Sequence, residues 1–429
     1  MKNVALFALM GLAFVGAGEF QSWSFSLTIL NLCLISAIMA LGVNIQWGYA
    51  GIFNVGIMGF AALGGAAAVL VNAAPVPEAW AAGGAGIGAS LVAALAVIGL
   101  IVLIRKKLRG SLRRYATIAV VIGGYFAVRA VYGPAVNAIE AVDPAKTGYL
   151  GGLGLPITIS WAVGGVFAAG GAWVVGKVAL GLRSDYLAIA TLGISEIIIA
   201  VLKNEDWLTR GVKNVSTLKP DVPTAIEFQG SEWFLGIAQS LEADPIVASG
   251  IAVKLIYAVL FAIVLGGLLW LSERALNSPW GRMMRAIRDN RDSAQAMGKD
   301  VTKRHLQTFI IGSAVVGIAG AMLTTLDMQF TPGTYNPLRF TFLIWVMVIV
   351  GGSGNNWGSI LGGFLIWFVW IEAERFGPIV MELATSGMDP ESALKSSLMD
   401  SAAHLRLFLM GIILLLVLRF SPRGLIPEK

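Results

Sequence analysis

The sequence predicts an all-α, polytopic membrane protein, with about 10–12 transmembrane helices in a single domain over residues 1–429. Three observations predict it. The chain is 57% apolar and only 13% charged, above the apolar share of about 45–50% found in soluble domains. Apolar runs of about 20 residues, the length that crosses about 30 Å of hydrocarbon as a helix, recur from end to end. Alternating ten-residue strands, the mark of a membrane barrel, are absent.

The elements follow in order. After Met1-Lys2-Asn3 the first run has the look of a signal peptide, but no A-x-A site follows, which favours a first span at 4–20. Further spans are expected near 26–47, 51–72, 82–104, 115–132, 159–181, 185–202, 248–272, 306–326, 340–351, 358–376 and 404–420. The runs at 40–60 and 340–365 can each be read as two spans or as one broken segment. Ala/Gly runs at 61–68 and 81–94 suit close helix packing through small residues. The longest polar segment, 203–246, carries Pro220, Pro223, Pro245, Trp207 and Trp233. It reads as an external loop, either simply solvated with interfacial aromatics or serving as a docking surface for an external binding protein.

Loop charge orients the spans. Residues 105–114, RKKLRGSLRR, hold six basic side chains and no acid, and Glu273 to Arg304 holds eight Lys/Arg against four Asp/Glu. By contrast 203–246 has four bases against seven acids, and 374–403 has two against five. Basic loops remain cytoplasmic. Twelve spans counted from a cytoplasmic start place both basic loops and both termini inside.

Little in the sequence points to an enzyme. One cysteine, Cys33, rules out an intrachain disulfide, and two histidines, His305 and His404, lie too far apart to suggest a metal site. G-x-x-x-x-G-K-[ST], G-x-S-x-G and H-E-x-x-H are all absent. No cofactor and no nucleic-acid partner is expected; the lipid bilayer is.

Polar groups inside a membrane are costly and become functional candidates. Glu196 lies eleven residues past Asp185, roughly 16 Å into the membrane at about 1.5 Å per residue. Thr191 and Ser195 flank it and could satisfy it. It serves either a transport path or packing. Two Gly-interrupted segments, 41–65 with Asn44, Gln46 and Asn54, and 350–363 with Asn355 and Asn356, read as discontinuous helices around such a path or as ordinary turns. The transport-path candidates are Asn44, Asn54, Thr191, Glu196 and Asn355.

The loop 273–305 has its own grammar. Ser278-Pro279 is a cap followed by proline in the first turn. Arg282, Arg285 and Arg288 recur every three residues, with Trp280, Met284 and Ile287 as an apolar companion face. Asp292 is expected to cap a second short helix, SAQAM, ending at Gly298. The loop meets either another protein or anionic lipid.

At this loop the sequence resembles a known family. SPWGRMMRAIRDNRDSAQAMGKD and the span after it are similar to the branched-chain amino acid permeases of ABC importers, of the LivM type. SDYLAIATLG with Glu196, residues 41–65, GGSGNNWGSILGG and the terminal RFSPRGLIPEK agree with it. The resemblance implies an ABC importer permease fold, a homologous second permease subunit, two cytoplasmic ABC ATPase subunits, a periplasmic or surface solute-binding protein, and the bacterial inner membrane. It also implies an ATPase-coupling role for the loop, through Trp280, Gly281, Arg282, Arg285, Ala286, Arg288, Asp289, Ala294 and Gly298. The sequence departs from the family at Leu208 to Val215, at Gly56 to Phe60, where a histidine is missing, and at 82–158, which holds extra spans. Members of the family also carry urea, amides or aromatic acids. The alternative is an ion-coupled secondary transporter using Glu196; a membrane scaffold is a third class.

The orientation is testable with Cys33→Ser as background. Ser111→Cys should resist an impermeant maleimide in intact cells, whereas Ser231→Cys should label; the reverse pattern would overturn the topology.

Overall fold

A helix occupies each expected span. The computed structural model describes residues 2–144, 146–389 and 392–428; Glu391, one of the acids of the 374–403 loop, and Lys429 of the tail lie outside them. The helices are α1 (Lys2–Phe20), α2 (Trp23–Ala50), α3 (Ile57–Asn72), α4 (Pro77–Lys107, with a π-helical turn at Trp80–Gly84), α5 (Gly110–Glu140), α6 (Ile159–Ala179) and α7 (Ser184–Asn204). Then come α8 (Pro245–Asn277), α9 (Pro279–Asp289), α10 (Arg291–Ala296), α11 (Val301–Asp327), α12 (Pro337–Gly351), α13 (Asn356–Ala384), α14 (Ala393–Asp400) and α15 (Leu405–Phe420). Among the described residues eight helices are long and apolar enough to cross a membrane. At 16 and 15 residues, α3 and α12 are too short: at about 1.5 Å per residue they fall short of about 30 Å of hydrocarbon.

The core is built around α2, of whose 28 residues 20 are buried. It packs against α8, α11, α12 and α13, and α11 in turn packs against α3 and α6. Small residues set the spacing. A Cβ at Gly164 would lie 3.1 Å from the Gly64 backbone, and one at Gly317 would fall on Ala168 and the Gly164 carbonyl. Lipid tails are as apolar as leucine, so helices in a bilayer associate through such close contact rather than by excluding water. α1 joins the bundle through Phe14, which meets Phe364 and Phe368 edge to face. Edge-to-face pairs of this kind add about 0.5–1.5 kcal/mol.

The extra spans expected at 82–158 form a hairpin, α4 and α5, standing at the edge of the bundle. Its own small core is Ala79, Ile87, Ala135, Ile139 and Leu150, and Leu91, Leu95, Ile98 and Phe126 face outward. It is tied to the long loop where Trp207 Nε1–H donates to the Tyr132 hydroxyl at 2.7 Å and Tyr132 donates to Glu205. That loop, 203–246, is ordered by a capping box at Thr224 and Glu227 and by the aromatic cluster Phe228, Trp233 and Phe234. A single antiparallel bridge, Val215 to Phe330, connects it to the segment after α11.

The packing argument is testable within one glycine series. Gly317→Val forces a branched side chain into the α6 backbone and should destabilise by about 3 kcal/mol, at the upper end for overpacking. Gly170→Val, where nothing lies within 4 Å, should leave the thermal midpoint of the detergent-purified protein unchanged. Equal midpoints for the two variants would refute close packing at this seam.

Candidate functional site

The two Gly-interrupted segments are both breaks between helices, and the fold brings them together. The first is the extended stretch 51–56 between α2 and α3, opened by Gly51 at φ +67°. The second is 352–355 between α12 and α13, where Gly352 and Gly354 have φ of +120° and +83°. Backbone that leaves the helix in a packed interior has lost its own hydrogen bonds and must find others.

Side chains supply them. Asn54 donates to Gln46 Oε1 at 2.8 Å and accepts from the Gly56 amide at 2.8 Å, while Gln46 donates to Ser313 Oγ at 3.0 Å. Trp345 Nε1–H donates to the Asn54 carbonyl at 3.1 Å, and its ring packs with Trp47 and Phe53. The Val55 amide donates to Thr191 Oγ1 at 3.1 Å. In the second break Asn44 Oδ1 accepts from the Gly354 amide at 2.8 Å, and Asn44 donates to Asn356 Oδ1 at 3.1 Å. Asn356 also takes the Tyr49 hydroxyl proton and donates to Glu273 Oε1 at 3.0 Å. Asn355 caps α13 through the Trp357 and Gly358 amides and donates to the Pro427 carbonyl at 3.1 Å.

Asn44, Asn54, Thr191 and Asn355 are thus gathered around the paired breaks, and all four have hydrogen-bond partners within the chain. Their polar atoms are engaged in holding backbone. Glu196 is placed differently. It is exposed on α7, whereas Thr191 and Ser195 are buried against the first break. One residue along a helix is about 100° around it, so neighbours in sequence face different ways. The expectation that Thr191 and Ser195 satisfy Glu196 is therefore corrected: Thr191 serves Val55, and Ser195 Oγ, beside Gly59, has no partner among the described residues.

The charged loop sits directly beneath the second break. Ser278 Oγ accepts from the Trp280 and Gly281 amides at 3.2 and 3.4 Å, starting α9. Gly281 is held against the end of α8, where a Cβ would collide with the Leu276 carbonyl. Met284 and Ile287 are buried beneath the helix, and Arg282, Ala286 and Asp289 are exposed. The next short helix is capped by Asn290, which accepts from the Ser293 amide at 2.9 Å. The cap was expected at Asp292, which instead lies in the first turn, because extended Asn290 reaches the free amides first. Ala294 is buried and Gly298, at φ +76°, ends the turn.

Arg288 is turned inward. Its guanidinium donates to the Gly48 carbonyl in the last turn of α2, to Glu428 at 2.9 Å and to Asp289 at 3.1 Å. Burial works against its charge, but the Glu428 and Asp289 carboxylates together more than offset this and raise its pKa. The tail that carries Glu428 is itself stitched to α12, through Leu425 to Val350 and Ile426 to Gly351, both at 2.9 Å. Tyr49, Glu273 and Glu428 escape a sequence reading because a polar residue at a helix end or in a tail is ordinary. Only their convergence makes them a group.

Comparison with known proteins agrees with this picture. Residues 116–418 match the family described as "Branched-chain amino acid transport system / permease component". The chain is 27% identical over 393 residues to the probable branched-chain amino acid transport permease protein LivM of Methanocaldococcus jannaschii, covering 91% of this chain and 90% of that one. It is 28% identical over 238 residues to the high-affinity branched-chain amino acid transport system permease protein LivM of Salmonella typhimurium, covering 53% of each. A shorter stretch, 87 residues at 33% identity, matches the probable branched-chain amino acid transport permease protein LivH of M. jannaschii over 20% of this chain and 27% of that one. No solved structure matches. The ion-coupled alternative finds no support in these relatives.

Two substitutions on α7 separate bracing from surface. Thr191→Val keeps the shape but strips the Val55 amide of its acceptor, and should cost about 1–3 kcal/mol. Glu196→Gln should stay within about 0.5 kcal/mol of wild type, as exposed positions do. Chemical or thermal unfolding of the purified chain checks both, and a larger loss for Glu196→Gln would place its carboxylate inside the fold.

Proposed function

Since the chain belongs to the family of permease components of branched-chain amino acid transport systems, we propose that it forms one half of the membrane pore of an ATP-driven importer. It is a multi-pass transport subunit and not an enzyme. In this proposal two cytoplasmic ABC ATPases supply the energy, a homologous second permease completes the pore, and a periplasmic or surface-tethered binding protein delivers the solute. The names of the relatives point to a branched-chain amino acid as cargo. The protein sits in the inner membrane with both termini cytoplasmic, the orientation that keeps the basic loops inside.

The observation that carries this reading is the way α9 is held. Its apolar residues Met284 and Ile287 are buried, its polar face with Arg282, Ala286 and Asp289 is turned out, and Arg288 bolts it to α2 and to the tail. A helix kept only by lipid would lay its apolar face toward the bilayer. Here that face is spent on the protein, which leaves a braced, charged surface for a partner. Displacement of α9 by an ATPase would pass through Arg288 to the end of α2, and from there to the two helix breaks, giving alternating access. The exposed Glu196, on a membrane helix, fits a face covered by the second permease, since a carboxylate turned to lipid is costly.

The roles of the arginines are separable. At a desolvated interface the loss of one charge partner costs about 2–5 kcal/mol, and about 2.7 kcal/mol is a hundredfold in affinity. Arg282→Glu should therefore weaken ATPase co-purification about a hundredfold with the permease as stable as wild type. Arg288→Glu should lower both, because it breaks the brace, and Arg109→Glu in the other basic loop should change neither. Retained co-purification in all three would remove the coupling assignment and favour a lipid contact, worth only about 1 kcal/mol per basic residue.

A further inference from the structure

At the opposite end of the bundle from the charged loop lies a cavity of about 190 Å³ between α2, α3, α11, α12 and α13. Leu32, Ile35, Met39, Met58, Leu323 and Ile344 make most of its wall. Four polar residues interrupt the apolar lining: Asp327, Ser36, Thr334 and Trp367. None of the transport-path candidates named from the sequence lines it.

Asp327 is the last residue of α11, is exposed, and forms no ion pair among the described residues. The carboxyl end of a helix already carries about half a negative charge, so a carboxylate there adds to a field that attracts a cation. Trp367 Nε1–H is buried with no acceptor among the described residues. An exposed carboxylate and a buried N–H that lacks an acceptor among the described residues, beside an apolar wall, suit a zwitterion with a hydrocarbon side chain. The volume is below the about 300–1,000 Å³ of sites for drug-sized ligands and suits something smaller.

We propose that this cavity is the permease's own holding site for an aliphatic amino acid in transit. The α-ammonium pairs with Asp327, the α-carboxylate takes the free N–H of Trp367, and the side chain lies on the Ile35–Met39–Ile344 wall. This deepens the importer reading and rests on it for the solute class. Ser36, 13 residues into a helix that begins at Trp23, lies about 20 Å along α2, well inside the bilayer.

The assembled transporter, reconstituted in vesicles in a Cys33→Ala background, tests the site directly. The thiol of the Ser36→Cys variant should react with an impermeant methanethiosulfonate added from the binding-protein side. Millimolar L-leucine should slow that reaction at least about tenfold, and 4-methylpentanoate, which lacks the ammonium, should not; one charged hydrogen bond is worth that factor or more. Adding Asp327→Asn should leave the reaction intact and abolish protection. In uptake, Asp327→Asn should lower the maximal rate at least about tenfold with the half-saturating concentration unchanged, and Asp327→Glu should restore part of it. Trp367→Phe, which removes only the N–H, serves should Asp327→Asn fail to assemble, and should likewise lose protection. A thiol that does not react means a closed or lipid-filled cavity and overturns the proposal, as does a thiol that reacts but is unprotected by leucine. Wild-type leucine uptake is measured alongside. Its absence would refute the importer's cargo, while the labelling still decides whether the cavity binds an aliphatic amino acid.

Discussion

The two paired helix breaks need hydrogen bonds from the rest of the protein, and that need organises this molecule. Neither 51–56 nor 352–355 can satisfy itself, so Asn44, Gln46, Asn54 and Asn356, all almost completely buried, are committed to them. An unsatisfied group of this kind costs several kcal/mol in lipid. The two breaks are therefore fixed with respect to one another, and with them the four helices they separate.

The same constraint couples the membrane core to the surface. Asn356 belongs at once to the second break and to Glu273 at the end of α8, and α9 follows α8 directly. Arg288 closes the circuit by returning from α9 to the Gly48 carbonyl and to the tail. These contacts are short, charged and few, so the loop is held as a rigid lever rather than as a tether. Rigid elements with discrete contacts carry a displacement over distance; a flexible linker would absorb it.

Against this polar skeleton the helices pack through glycine and alanine, with little side-chain bulk between α3, α6 and α11. Close approach suits the bilayer, where there is no water to expel. The α4–α5 hairpin shares few of these contacts, leans on the bundle through a small separate core, and turns most of its apolar surface outward.

Much was legible in the chain itself. Apolar runs near twenty residues located the helices, because a bilayer fixes the length of what crosses it. Ser278-Pro279 and Gly298 marked the ends of the charged loop's helices, because caps are local chemistry. The glycine interruptions marked both breaks. Tertiary structure decided the rest, because it concerns which side of a helix meets what. Glu196 and Ser195 are neighbours in sequence and face different ways. Arg288, one of three evenly spaced arginines, reaches the Gly48 carbonyl and the tail, whereas Arg282 is exposed. Asp327 shares a cavity with Trp367 and Ser36, residues of helices that are distant in sequence and adjacent only once folded.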